Sequence, residues 1–182
     1  MSRIGIKPIK IPSGVKVESK DGIVEISGSK GKISKSIPKG IYTEIENGVI
    51  IVRRTSDDKS VKALHGLTRS HLANMVTGVT DGFSITLEIV GVGYKAEILG
   101  KDKINFSLGY SKPLEFSLPD GINAEIEEKG TRLTMRGIDK DKIGQTAARI
   151  RKLREPDSYK GKGIRYGGEK LKLKPGKAGA KA

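Results

Sequence analysis

Residues 21–46 read DGIVEISGSKGKISKSIPKGIYTEIE, and residues 102–127 read DKINFSLGYSKPLEFSLPDGINAEIE. Laid over each other at a shift of 81, the two stretches match without a gap. Asp21 falls on Asp102, Ile23 on Ile104 and Gly28 on Gly109. Ile33, Ser36, Ile37, Pro38, Gly40 and Ile41 fall on Leu114, Ser117, Leu118, Pro119, Gly121 and Ile122. Glu44-Ile45-Glu46 falls on Glu125-Ile126-Glu127. The shift then widens to 83, where Ile50, Val52 and Arg53 meet Leu133, Met135 and Arg136. Insertions in turns produce such drift. Two copies are too few for a solenoid. They predict a duplicated domain, with the joint near Asp81-Gly82.

Each copy reads alike. Val15-Lys16-Val17-Glu18, Ile23-Val24-Glu25-Ile26 and Val49–Arg54 are short, β-branched and bounded by glycine turns. Their partners are 94–99, 103–108 and 132–136. Asp21-Gly22, Asn47-Gly48 and Lys129-Gly130 are turn signals that favour hairpins and an antiparallel sheet. One helix closes each copy. Over about 59–76, Val61, Leu64, His65, Thr68, Leu72 and Met75 form one stripe at helical spacing. Over about 142–154, Ile143, Ala147 and Ile150 do the same, with Thr146 and Leu153 at the edge. The expected fold class is α+β: two tandem duplicated domains, each an antiparallel β-sheet with one α-helix on one face, plus a basic C-terminal extension. The expected boundaries are 1–81 for a scaffold or protein-contact domain, 82–175 for a domain carrying a basic loop, and 176–182 for a flexible tail.

The charge lies at the ends. The net charge is +14. From Arg149 to the C-terminus there are 12 basic and 3 acidic residues. The first twelve residues add Arg3, Lys7 and Lys10 with no acid. Residues 13–148 balance to +2, with 20 basic and 18 acidic side chains. Charge so localised implies a polyanionic partner at one face. There is no cysteine, which excludes disulfides and thiolate metal sites. No apolar run approaches the roughly 20 residues of a bilayer span, and the N-terminus lacks a signal-peptide core. A soluble intracellular protein is expected, without a large apolar ligand pocket.

Candidate chemistry is sparse. Asp57-Asp58 and Asp139/Asp141 each stand just before a helix, where aspartate caps exposed N–H groups. His65 and His71 are six apart, which is not ligand spacing on a helix face. Gly91-Val92-Gly93 lacks the rest of a dinucleotide fingerprint. Gly28-Ser29-Lys30-Gly31-Lys32 fails the phosphate-loop spacing. Both read as turns or bulges. The stretch PDSYKGKGIRYGGEKLKLKPGK, residues 156–177, differs from all of these. Lysine and arginine neutralise phosphates, tyrosine stacks on bases, and glycine lets backbone approach closely. Leu171 and Leu173 alternate with Lys170, Lys172 and Lys174, which predicts an ordered loop and a short strand with lysines outward.

These residues carry a resemblance. Tyr159-Lys160-Gly161-Lys162-Gly163-Ile164-Arg165-Tyr166, after Glu155-Pro156-Asp157 and before Glu169, resembles the signature of the sixth protein of the bacterial-type large ribosomal subunit. Ser2-Arg3-Ile4-Gly5 with Pro8-Ile9, Leu64-His65-Gly66-Leu67-Thr68-Arg69 with Asn74-Met75-Val76, and Gly91-Val92-Gly93-Tyr94-Lys95-Ala96 support it. Ser158 stands where many members carry proline, and Ile6 where many carry lysine. The resemblance spans essentially the whole chain. It implies a structural constituent of the large subunit that binds its ribosomal RNA mainly through the second domain. It further implies a place near the stalk base and the docking region of translational GTPases, close to the subunit interface, among neighbouring ribosomal proteins. No catalysis, cofactor, metal, membrane or small-molecule substrate is expected. The ribosome would be cytoplasmic, and an organellar one is also compatible with the sequence.

The expected RNA-binding residues are Tyr159, Lys160, Gly161, Lys162, Gly163, Arg165, Tyr166, Lys170, Lys172, Lys174 and Lys177, with Tyr94, Lys95 and Arg3. Two other classes share some of these features. A free-standing RNA-binding regulator or assembly chaperone would carry the same basic tail. A nuclease would need an acid–base or metal set that the sequence does not display.

Overall fold

The computed structural model describes residues 4–100 and 102–176. Expectations that rest on Arg3, Lys177 or the tail beyond Gly176 lie outside the described residues. The chain divides into two compact units. One runs to Phe83 and takes in Ile138–Lys140; the other comprises Ser84–Gly137 and the chain from Asp141 onward.

In the first unit, β1 (Ile9–Lys10), β6 (Val49–Arg54) and β5 (Ile41–Glu46) form one three-stranded sheet, in that order. A second holds β2 (Lys16–Lys20), β3 (Ile23–Gly28) and β4 (Gly31–Ser36). All four pairings are antiparallel. Two hairpins turn at Asp21-Gly22 and Asn47-Gly48, where all four residues have positive φ. That is the type I′ geometry whose twist matches the flanking strands. Helix α1 (Lys59–Thr80) lays Leu72, Met75, Val76 and Val79 on Val24, Ile26, Ile50 and Val52. The helix outruns its expected end because the apolar stripe continues through Val79.

The Gly28–Lys32 turn proves to serve α1. The Lys30 amide donates to Val79 O at 3.1 Å, and Lys30 Nζ donates to Asp81 O. Helix α1 has no basic residue in its own last turn. A cation from the hairpin tip therefore satisfies its C-terminal carbonyls and complements the dipole. Gly28 is required because a Cβ there would lie 2.8 Å from Val79 O. At the other end the aspartates behave differently from expectation. Asp58 is the N-cap by position, yet its side chain makes no capping bond. It accepts instead from Ser56 Oγ at 2.7 Å, and Asp57 is taken by Arg54.

The second unit repeats the plan with one strand more. Its larger sheet runs β11 (Ile122–Glu127), β12 (Arg132–Gly137), β7 (Phe83–Val90), β13 (Gly163–Tyr166). Its smaller sheet runs β10 (Leu114–Ser117), β9 (Lys103–Ser107), β8 (Lys95–Leu99). Helix α2 (Lys140–Leu153) buries Ile143, Thr146, Ala147 and Ile150. Within each copy the antiparallel strands are thus shared between two small sheets.

Register and burial refine the sequence match. Val17 pairs with Ile26, which pairs with Ile33; Ala96 pairs with Phe106, which pairs with Leu114. The equivalent positions are therefore 79, 80 and 81 apart in successive strands. The alignment of Ile23 with Ile104 is one residue out. Ile23 is exposed, whereas Val24 and Ile104 are both buried. A slip of one residue exchanges the faces of a strand, so burial decides the register.

Candidate nucleic-acid interface

Residues 154–176 all belong to the second unit, and the backbone itself holds them in place. Strand β13 adds to the edge of the sheet antiparallel to β7, with Ile164 opposite Ile89. Ile164 is fully buried. Its N–H donates to Arg154 O at 2.8 Å. Before β13 the chain makes a tight turn. Asp157 N–H donates to Lys162 O at 2.9 Å, and Gly161 N–H to Asp157 O at 3.0 Å. Beyond β13, Lys174 N–H returns to Ser158 O at 2.8 Å.

Two carboxylates brace the turns. Asp157 Oδ2 accepts from the amides of Lys160 at 3.0 Å and Tyr159 at 3.2 Å. The Lys160 amide is the main cause that holds the Asp157 pKa below the usual aspartate range. Glu169 Oε2 accepts from the Tyr166 amide at 3.0 Å, and Oε1 from Arg151 Nη2 at 2.9 Å. The Tyr166 amide leads in depressing the Glu169 pKa, against a partial penalty from burial. Both folded-state values lie below the unfolded ones. The stabilisation is therefore present above the ordinary carboxylate pKa, near 4, and is lost as pH falls through the depressed values. Amide resonances of Tyr159, Lys160 and Tyr166 followed by NMR are expected to move at lower pH than ordinary carboxylate titration would give. Inflections at an ordinary carboxylate pKa would show that these bonds do not hold the turns.

The expected site residues divide into two groups. Lys160, Lys162, Lys170, Lys172 and Lys174 are exposed and form no ion pair among the described residues. Tyr159 is 59% exposed. The others have partners inside the protein. Arg165 grips Glu88 Oε2 through Nε at 2.8 Å and Nη2 at 2.7 Å. Tyr166 is half-buried, with the Arg151 guanidinium 5.7 Å from its ring centroid. Lys95 pairs with Glu97 at 2.6 Å. The Tyr94 ring is packed where a Cβ on Gly91 or Gly109 would fall, at 2.6 and 2.9 Å.

Gly161 and Gly163 are buried. A Cβ on Gly163 would lie 2.6 Å from Glu155 O, and Gly161 sits under Leu171 Cδ1 and Leu173 Cδ2. Their smallness serves packing. The same contact explains the alternating leucines. They cover Gly161 while the intervening lysines stay exposed, but 169–176 forms no strand. Tyr110 and Arg154, which sequence reasoning passed over, also stand here. The Arg154 guanidinium lies 5.0 Å from the Tyr110 ring centroid.

Among the described residues of the first unit, the arginines have partners inside the protein. Arg53 is bound to Glu44, Arg54 to Asp57, and Arg69 to Lys7 O. His65 is buried, with Nε2 2.9 Å from Val52 O.

Two stretches, 11–82 and 90–167, each match the family described as ribosomal protein L6. The chain belongs to the ribosomal protein L6 family. The double match coincides with the two copies of the fold. "Large ribosomal subunit protein uL6" of Acidobacterium capsulatum is 55% identical over 181 residues, covering 100% of both chains. The proteins of the same name from Koribacter versatilis and Geobacter sulfurreducens are each 52% identical, again over 100% of both chains. Members of the L6 family are structural proteins of the large ribosomal subunit, and the antiparallel α+β repeat described above is its fold. No helix among the described residues is long and apolar enough to cross a membrane.

Proposed function

We propose that the chain binds large-subunit ribosomal RNA through its second unit and stabilises the fold of that RNA without catalysis or cofactor. One observation carries this reading: five exposed lysines that form no ion pair among the described residues, on a segment whose backbone is tied at both ends. Lys160, Lys162, Lys170, Lys172 and Lys174 neutralise phosphates, and Tyr159 stacks on a base or packs on a sugar. Structured RNA is read largely through backbone, shape and 2′-hydroxyls, which suits such a cationic surface. Arg3 and Lys177, which lie outside the described residues, are assigned to RNA contact by sequence alone. The first unit is principally scaffold and protein contact. By family resemblance, the bound region lies near the stalk base and the GTPase docking region, close to the subunit interface.

Arg165 is assigned a holding role, because Glu88 already neutralises it. Arg165→Ala is therefore expected to leave the salt dependence of RNA binding unchanged. Lys160→Ala is expected to flatten the slope of log affinity against log salt by about 0.7–0.9. Parallel titrations of both variants on one large-subunit RNA fragment check this. A flattened slope for Arg165→Ala would return the guanidinium to the phosphate-binding set.

A further inference from the structure

We propose that Tyr110 and Arg154 form a nucleobase-stacking site, against which an unpaired base of the bound RNA inserts. The proposal rests on the RNA-binding reading above and adds to it a site that the basic segment does not contain. Of the five tyrosines, Tyr42, Tyr110 and Tyr159 are exposed. Tyr110 is 46% exposed and is held from two sides. Its hydroxyl donates to Leu153 O at 3.0 Å, satisfying a carbonyl at the end of α2. The Arg154 guanidinium sits within cation–π range of its ring. Beneath it, the neighbouring Gly109 packs on the Tyr94 ring. Tyr110, and after it Tyr94, raise the Arg154 pKa.

Arg154 has no carboxylate partner among the described residues, whereas Arg151 and Arg165 both do. A planar cation on a half-exposed ring, with no anion supplied by the protein, matches the face of a base and its adjoining phosphate. The location agrees. Arg154 O accepts the Ile164 N–H, and Gly163 packs on the carbonyls of Arg154 and Glu155. The pair therefore stands at the root of the lysine-bearing turn. Because two contacts already fix the ring, stacking costs little further ordering.

The chain contains no tryptophan, so Tyr110→Trp installs a single reporter. Titrating the full-length variant with a large-subunit RNA fragment is expected to quench its indole emission. Tyr110→Ala is expected to weaken binding roughly tenfold to a hundredfold with the salt slope unchanged. Arg154→Gln is expected to weaken it and flatten the slope by about one. Unchanged indole emission at saturating RNA, or Tyr110→Ala binding within twofold of wild type, overturns the stacking site. Lys160→Ala/Lys162→Ala is run beside them. If that variant loses affinity while Tyr110→Ala does not, only the stacking site falls. If neither loses affinity, the RNA-binding reading beneath it falls.

Discussion

Replacing Lys160, Lys162, Lys170, Lys172 and Lys174 together by alanine is expected to flatten the salt slope of RNA binding by about 3.5 to 4.5 units. Each lysine that neutralises a phosphate releases a condensed counterion, and each released ion contributes about 0.7–0.9 to the slope. Between 50 and 200 mM salt, the contribution of these five side chains amounts to roughly a hundred- to five-hundredfold in affinity. The folded state is expected to tolerate the change. All five side chains are exposed and form no ion pair among the described residues, and surface substitutions of that kind usually alter stability by less than about 0.5 kcal/mol. Thermal melting and salt titration of the same preparation give both readouts. Slopes for wild type and variant within about one unit would place the binding charge elsewhere.

Gly163→Val tests placement instead of charge. The residue has φ 145°. Its absent Cβ would meet three backbone atoms of Arg154 and Glu155 within 2.8 Å. Those carbonyls cannot retreat easily, because Arg154 O is bonded to the Ile164 amide. Backbone strain and overpacking together predict a loss of about 2–5 kcal/mol. The outcome is expected to be β13 lifting from β7 and Ile164 leaving the core. All lysines remain, so the salt slope should persist while affinity falls at least about tenfold, because the segment must then be ordered on binding. A variant that melts and binds like wild type would show that β13 does not position the lysines.

The duplication was legible because it is written in turn chemistry and alternation. Asp21-Gly22 and Asn47-Gly48 are the residue pairs that a type I′ turn requires, and they take that conformation. The widening shift also has a local cause. Two residues, Asn47 and Gly48, join β5 to β6, whereas four join β11 to β12 around the 3-10 turn Glu128–Gly130. The register of β3 against β9 was not legible, since Ile23 and Val24 are chemically alike and only burial separates them. In the candidate site, the exposed lysines could be read from charge and spacing. The Arg165–Glu88 pair could not: the partners are 77 residues apart and meet only when β13 joins β7. For the same reason the packing of Gly163 could not be read: its absent Cβ would meet the carbonyls of Arg154 and Glu155, just beyond α2. Asp58 marks the helix start correctly, but Ser56 competes for its carboxylate.

The bond from the Lys174 amide to Ser158 O closes residues 158–174 into a ring without a covalent link. Four of the five unpaired lysines lie inside that ring and the fifth closes it. Their geometry is set before any RNA arrives, so capture is a docking event and not a folding event. Association should then be a single exponential phase, linear in RNA concentration, with no slow step that saturates. Ionic strength should act mainly on the rate of encounter, which long-range attraction between basic surface and phosphates accelerates. The time the complex survives would be governed by the short-range contacts formed after docking.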